Sequence, residues 1–525
     1  MKKRFKLLAA ILACAMLPAC GQPSAPSSSQ PQSQPKSDSS SSEASSSNAE
    51  SESQPADTAD TGDRPKLNIL IPYAPFDVKT DNAGKELSKH TGYEIEFDTL
   101  PEQNSNDRLN LIFSSGNIDY DYIRIGSGDV ERSLFATYAS RGLLEDLTGK
   151  IPNYDKLSQI DARGFEALTQ NGSVYGIPST GLPYASSTNA IRMDWLDKVK
   201  KDVPTTPDEL YDVLKAFKEQ DPDSLGENNI PYTALPQTVD GAISAGFGIL
   251  FNYEERDGKI VDARMLPEYK EYLAFMNKLY SEGLLDADMP VNTGTKHLEK
   301  CASGRVGFYT GGTDQARDLL ISKRQNGQDG TYYQIIPPFQ DSTGKQRAAS
   351  LEGLFGIGMI PKGSETADHV LNFMNVYLSD DVFESIIHGQ ENVDYKIENS
   401  ERIPILPDFD QNRGNMYALF PVQNGETYFD LWKLRTKKTP EAGMFFQQVF
   451  DEAGDYLEVN PIAFAPSFDG ISDKVKVVQE YALQEATKFI AGARSLDEFD
   501  AFVEEMKAKG ADEIVEAYNQ WYKAK

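Results

Sequence analysis

Three short apolar segments alternate with two helical ones between Lys66 and Gly128, and this alternation restricts the fold more than any other feature of the chain. Lys66-Leu67-Asn68-Ile69-Leu70-Ile71 reads as a strand stopped by Pro72, with Tyr73 at its carboxyl end. Ala83 to His90 reads as a helix, Tyr93 to Phe97 as a second strand, and Asn106 to Phe113 as a second helix. Tyr120 to Ile125 is a third strand, closed by Gly126-Ser127-Gly128. Strands that alternate with helices pair in parallel through crossovers, so an α/β sheet is expected. Ligands of such sheets sit beyond the carboxyl ends of the strands. Tyr73 and Ser127 fall there and are the first two candidate ligand-binding residues.

A second organising stretch lies in mid-chain, from Gln170 to Leu196. Asn171-Gly172 is a turn dipeptide, since both residues tolerate positive φ. Val174 to Ile177 reads as a short strand ended by Pro178, and ten residues rich in Gly, Pro, Ser and Thr follow it. Ala190 to Met193 is a second short run, and Asp194 is an expected N-cap before Trp195 and Leu196. A strand, a loose crossing and a new strand–helix unit suggest that one lobe ends here and another begins. The crossing would line the gap between them, which adds Tyr184 to the candidates.

Beyond it, Thr206-Pro207-Asp208-Glu209 is a capping box with Pro at the first helical position. Leu210, Val213, Leu214 and Phe217 follow at core spacing. Pro267 to Glu282 is another helix, closed by Gly283. Gly304 to Gly312 reads as a strand running into a glycine turn that would let backbone amides approach a ligand, with Tyr309 and Thr310 at the strand end. Gly241 to Phe251, containing Phe247, reads as either a packed strand or an aromatic platform. Tyr332 to Ile336 is strand-like, and Leu354 to Ile360 is a further apolar run that returns the chain to the first lobe. Ser364 is the expected cap of the next helix. Gly356-Ile357-Gly358 falls short of a dinucleotide fingerprint, because Pro361 stands where the last Gly belongs. Ser495 and Glu498 form another capping box, before a helix that Gly510 stops.

The 525 residues exceed what one core normally holds, so at least two lobes are expected. The formal charge of −28 argues against nucleic acid and against electrostatic adhesion to anionic lipid. Of Cys14, Cys20 and Cys301, only Cys301 lies in the body, which leaves no intrachain disulfide and no thiolate metal site. His90, His297, His369 and His388 show no metal-binding spacing, and neither a metal nor another cofactor is expected.

Residues 1–19 read as an export signal: a basic start at Lys2, Lys3, Arg4 and Lys6, then an apolar stretch from Leu7 to Leu17 too short to span a membrane comfortably. Loss of those four positive charges with the leader takes the formal charge from −28 to −32. Leu17-Pro18-Ala19-Cys20 resembles the bacterial lipobox, with Pro18 in place of the usual Ala or Ser; the resemblance implies lipidation of Cys20. Residues 20–63 are Ser, Pro, Gln, Asp and Glu with almost nothing to bury, and so are expected to be a disordered tether. Its span would be on the order of 35–40 Å. Acyl chains contribute about 0.8 kcal/mol per buried methylene, so multiple chains would hold the body at the membrane.

Several stretches in order match one pattern: Leu87-Ser88-Lys89-His90-Thr91-Gly92, Ser114-Ser115-Gly116-Asn117, Gly172 to Pro178, and Ile191-Arg192-Met193-Asp194-Trp195-Leu196 with Pro204 to Leu210. Lys278 to Leu284, Phe489 to Gly492 and Asp497 to Asp500 extend it. On these residues the chain resembles the family 1 extracellular solute-binding lipoproteins of bacterial ABC importers, in their long, mostly Gram-positive branch. The resemblance implies a two-lobe periplasmic-binding-protein-like type II fold with a hinge and an inter-lobe cleft. It implies a monomer on the outer face of the cytoplasmic membrane, held only by its N-terminal lipid, that captures an oligosaccharide or modified sugar for permease subunits. Lobe 1 is expected to hold 64–185 with about 346–415, and lobe 2 to hold 186–345 with about 416–525. Two departures stand out. Many relatives read D-P-D-G-N-G in a loop that looks calcium-binding, whereas Asp221-Pro222-Asp223-Ser224-Leu225-Gly226 puts Leu225 at the Asn position, so the loop is read as a turn. Relatives also read G-x-E-G-x-H-Y where Gly389 to Tyr395 carries Asp394 in place of the His, which weakens any ligand role there.

Sugars present apolar C–H faces and many hydroxyls, so aromatic platforms beside planar polar side chains suit them. Trp195 opens a helix and is read as core. Trp432 is the better stacking candidate, and Glu352 could accept hydroxyls. The candidate set is therefore Tyr73, Ser127, Tyr184, Phe247, Tyr309, Thr310, Glu352 and Trp432. A receptor for a non-sugar solute, a surface sensor or adhesin, and a secreted carbohydrate-active enzyme using two acids across a cleft are the alternatives, although no motif nominates a catalytic pair.

Overall fold

The computed structural model describes residues 64–182, 184–185, 187–312, 333–425, 433–438, 443, 454–468 and 470–524. All of them belong to the compact unit Asp57–Lys525. Cys20, the tether and Trp432 lie outside the described residues.

Nine strands build the two main sheets of the described residues: β1 (Leu67–Ile71), β2 (Ile95–Thr99), β3 (Tyr122–Ile125), β4 (Ile177–Gly181), β5 (Ser187–Arg192), β6 (Ile230–Thr233), β7 (Val306–Gly312), β8 (Tyr333–Ile336) and β9 (Gly353–Met359). The first sheet has the order β2-β1-β3-β9-β4 and the second β8-β5-β7-β6. β1 pairs in parallel with β2 and β3, as the alternation demands, and β9 enters antiparallel between β3 and β4. In the second sheet β7 is parallel to β6 and antiparallel to β5.

Both faces of the first sheet are buried, which explains why β1 reads as a nearly unbroken apolar run. Leu67, Ile69 and Ile71 face one hydrophobic cluster, and Leu70 faces another with Ile123 and Ile125. The period of two recurs in β7, where Phe308 joins the large core of the second half and Tyr309 points to the opposite face. Gly358 of β9 is a packing residue: a Cβ there would lie 1.9 Å from the Tyr122 hydroxyl.

Local capping follows the sequence with some shifts. Helix α1 (Asn82–Thr91) starts on Asp81, which accepts from the Ala83 amide, and ends on Gly92 at φ 71°. At α2 (Pro207–Gln220), Thr206 accepts from the Glu209 amide, but Glu209 reaches back to the amide and hydroxyl of Thr205, one residue before the cap. Asp194 is not a cap. Its helix already begins at Met193, and the Arg192 guanidinium takes the carboxylate in two bonds, Nε–Oδ1 at 2.6 Å and Nη2–Oδ2 at 2.5 Å. Thr366, rather than Ser364, stands at the next cap, with the Ser364 hydroxyl 2.9 Å from that of Thr366.

The mid-chain crossing is shorter than its composition suggests. β4 continues through Pro178 to Gly181, and β5 already starts at Ser187. Pro178 is tolerated because β4 is a sheet edge. Gln423 and Gly425 cover that edge: the Gln423 carbonyl accepts from the Thr180 amide at 2.8 Å, and the Gly425 amide donates to the Thr180 hydroxyl at 3.0 Å. Met416, Leu419, Phe420 and Val422 likewise pack in a cluster of the first sheet, so the chain past 415 first runs with that sheet. Among the described residues farther on, Tyr456 and Leu457 pack against a cluster of the second sheet, Ile462 and Ala465 join the large second core, and Ala463 and Phe464 face the first sheet. Gly241 to Phe251 forms no strand; a single 3-10 turn, Ser244–Phe247, occupies it.

Candidate functional site

Three segments run side by side where the chain passes between the sheets. Ala185 bridges Ser350, the Leu351 amide donates to the Tyr184 carbonyl at 2.9 Å, and Ala348-Ala349 pairs in parallel with Leu457-Glu458. Arg347 (7% exposed side chain) ties this ribbon to the second half, donating to Glu458 Oε2 at 2.9 Å, Glu254 Oε2 at 2.8 Å and the Gly248 carbonyl at 3.0 Å. Glu254 in turn accepts from the amides of Leu250 and Phe251. A buried ion pair therefore fixes the turn that carries Phe251 and Asn252. Removing one member of such a pair leaves an uncompensated charge and costs about 3–5 kcal/mol.

Above the ribbon lies a cavity of about 660 Å³, lined from the first sheet by Ser127, Arg132 and Gly353 to Phe355, and from the second half by Ser187, Gly311, Gln237, Asp240 and Asn252. Ser127 donates its hydroxyl to the Leu354 carbonyl at 2.5 Å. Arg132 donates three of its N–H groups to backbone carbonyls: Nε to Ser127 O (2.8 Å), Nη1 to Ala465 O (3.0 Å) and Nη2 to Ala463 O (2.9 Å). Asp240 accepts from the amides of Ala242 (3.0 Å) and Ser244 (2.9 Å) and from the Tyr272 hydroxyl (3.2 Å). Its enclosure pushes the carboxyl above the usual range, against the pull of those donors.

Phe355 is the aromatic that reaches this cavity from the first sheet. The β9–β4 register jumps between Leu354 and Gly356, which makes Phe355 the extra residue of a bulge, 37% exposed while the rest of β9 is buried. A bulge of this kind re-aims one side chain out of the pleat.

The sequence profile of the bacterial extracellular solute-binding proteins matches residues 82–391, more than half of the chain. The chain belongs to that family. Lipoprotein LipO of Bacillus subtilis (strain 168) is 26% identical over 489 residues, 88% of this chain and 93% of its own length. The polygalacturonan/rhamnogalacturonan-binding protein YtcQ of the same organism is 25% identical over 464 residues, 84% and 88% of the two chains. Among solved structures, the S. pneumoniae ABC-transporter substrate binding protein FusA in complex with kestose aligns with a TM-score of 0.67 at 18% identity, covering 87% of this chain and 99% of that one. A likeness at that identity shows the two-domain α/β fold.

In this solute-binding protein the sequence candidates separate into groups. Ser127 and Glu352 line the cavity together; Glu352 is paired to Arg163 at 3.2 Å. Tyr73 is 48% exposed at the end of β1 and is not among the lining residues. Tyr184 lies in the crossing and packs partly against the first sheet. Tyr309 and Thr310 do not reach the cavity, because β7 runs on to Gly312 and Gly311 is the residue that lines it. Tyr309 is 1% exposed, edge-on to Tyr333 (5.3 Å) and His297 (5.9 Å), and Thr310 sits 3.2 Å from the Tyr232 hydroxyl. Phe247 packs on Tyr272 and Phe275 and lines a different pocket. Gln237, Asp240, Asn252 and Phe355 escaped sequence reasoning. Only Phe355 carried a signal, the flanking Gly353 and Gly356 in an otherwise apolar run.

The loop that resembles a calcium site does not fit the ion. Asp223 accepts from Lys198, from Arg192 Nη2 at 2.8 Å and from Trp195 Nε1 at 2.8 Å, so cationic and neutral donors already occupy the carboxylate. Partial burial would raise its pKa, yet those donors hold it at about 2. Asp221 is turned inward onto the amides of Leu225 and Gly226. Asp394, at the family His position, is buried against Arg413 at 3.2 Å and Asn412 at 2.8 Å.

Proposed function

We propose that this protein is a lipid-anchored receptor that captures an oligosaccharide or modified sugar and delivers it to the permease of an ABC importer. The observation that carries the reading is the cavity itself: an exposed bulge aromatic, Phe355, faces planar polar side chains of Gln237, Asp240, Asn252 and Asn460. Apolar sugar faces stack on the former, and hydroxyls exchange hydrogen bonds with the latter. The similarity to YtcQ, a polygalacturonan/rhamnogalacturonan-binding protein, and to FusA in complex with kestose supports it. Residues 64–185 with about 346–425 would form one lobe, and 186–345 with about 460–525 the other. Ligand bridging them would stabilise a closed form for the permease to recognise. Cys20 would carry the lipid, and 20–63 would tether a monomeric body to the outer face of the cytoplasmic membrane.

Calorimetric titration of the purified protein with a glycan panel, followed by recovery of labelled glycan, tests the reading. Micromolar binding, about −8 kcal/mol, with the glycan recovered intact is the expected result. Cleaved glycan would assign an enzyme instead, and no response to any glycan would remove the carbohydrate reading. Cys20→Ser is expected to release the protein into the medium and to abolish labelling by radioactive palmitate.

A further inference from the structure

We infer that the glycan site continues past Phe251 into a second cavity, so that the protein selects chains long enough to occupy both. The inference rests on the carbohydrate reading above and deepens it by naming the length of the ligand. The second cavity holds about 690 Å³, against about 660 Å³ for the first. Each alone is the size of a site for one small ligand. The same ribbon gives one side to each of them. Arg347, Glu458, Val459 and Pro461 face the second cavity, whereas Ala349, Ser350, Asn460 and Ile462 face the first. Phe251 lines both. It is half-buried against Ala245, Leu250 and Ala349, at the place where the turn of the second half meets the ribbon. A ring so placed offers its apolar face to a chain that passes from one cavity into the other.

The second cavity carries the chemistry of the first. Phe247 and Tyr522, both half-buried, add aromatic surface beside Phe251, and Glu255, Glu268, Ser342 and Thr343 add acceptors and hydroxyls. Apolar C–H faces of a sugar stack on the rings, and its hydroxyls bond to such polar groups. The wall is held by ion pairs: Lys345 Nζ lies 2.6 Å from Glu458 Oε1, and Arg347 Nη2 lies 2.8 Å from Glu254 Oε2 and 2.8 Å from Glu458 Oε2. Glu254 fixes the turn that bears Phe251, and Glu458 belongs to the ribbon, so the passage between the cavities is built in advance. A preformed path keeps the ordering cost of a longer ligand low, and its added contacts then appear as affinity.

The test titrates ladders of fructo-, xylo- and galacturono-oligosaccharides, from disaccharide to octasaccharide, into the purified protein by calorimetry. In a ladder that binds, the hexasaccharide is expected to bind wild type at least tenfold tighter than the disaccharide. Tyr522→Ala, which removes a ring from the second cavity, is expected to lower that ratio at least threefold. Ser342→Trp, a bulky residue on the exposed loop at its rim, is the second variant and is expected to lower it likewise; a melting curve reports whether each is folded. A wild-type ratio near one, or a ratio that the folded variants retain, overturns the inference and leaves the carbohydrate reading standing. Silence from every ladder overturns the two together.

Discussion

Tyr309 and Phe355 sit on strands that reach the same cavity from opposite sheets, yet one ring is core and the other faces the cavity. Tyr309 belongs to a regular stretch of β7, where the pleat turns it into the cluster with Tyr333 and Cys301. Phe355 belongs to a bulge, where the pleat is interrupted and the side chain leaves the interior. Aromatic character is common to both. Backbone regularity separates them, and it decides which ring a ligand can touch.

The strongest way to break this contrast is Tyr309→Ala. Deleting a buried aromatic leaves a cavity, and a loss of about 3–5 kcal/mol in unfolding free energy is expected by urea denaturation. Glycan affinity of the folded protein should stay at the wild-type value. A variant of unchanged stability that binds glycan poorly would move Tyr309 into the site and dissolve the distinction.

Phe355→Ala should do the reverse. Its loss of stability is expected to be smaller than that of Tyr309→Ala, since the ring is 37% exposed. Affinity should fall by about 1–2 kcal/mol, roughly tenfold, through loss of the stacking face. Equal calorimetric affinity for wild type and variant would remove Phe355 from the site.

These two residues also mark how far the sequence could be read. β1 to β3 were legible because alternating helical and apolar segments leave few topologies, and Ser127 was legible because a Gly-Ser-Gly turn closes a strand at its carboxyl end. The end of β7 was placed at Thr310, two residues short of Gly312. Glycines at 311 and 312 read as a turn, although the β5 partners at 188 and 187 keep them in the sheet. In Asp240 and Asn252 no local pattern exists to be read. They are positioned by Ser244, Tyr272, Thr238 and the Arg347–Glu254 pair, contacts made by folding.

A smaller effect separates two carboxylates of the second half. Asp223 is held at about 2 by Lys198, Trp195 and Arg192 despite its partial burial, so its folded value lies below the unfolded one. Its contribution, about 2 kcal/mol, is complete above pH ~4 and disappears as pH falls through about 2. Asp240 is raised by enclosure, so the sign reverses: ionising it weighs against folding at neutral pH and is relieved on acidification. The destabilisation caused by Asp223→Asn should therefore shrink between pH 5 and pH 2 in denaturant titrations, whereas Asp240→Asn should gain on wild type as pH rises from 3 to 7. Parallel curves for the two variants would mean that donor type does not distinguish the sites.

The smallest expected effect is the one on removing calcium. A divalent ion binds a carboxylate loop when several oxygens point at one place and carry little other obligation. Here the Asp223 oxygens are committed to an ammonium, a guanidinium and an indole, and those of Asp221 to two backbone amides and the Asn229 side chain. An ion would have to displace Lys198 and Arg192 from a carboxylate that is ionised throughout the neutral range, placing three cationic centres around one acid. Melting temperatures in excess EDTA and in millimolar calcium should accordingly agree within a degree. With Lys198→Ala and Arg192 retained, they should still agree, because the guanidinium, 3% exposed and bonded to Asp194 and Asp223 together, stays in place. A calcium-dependent rise in either protein would show that the loop opens outward and that its carboxylates are available after all.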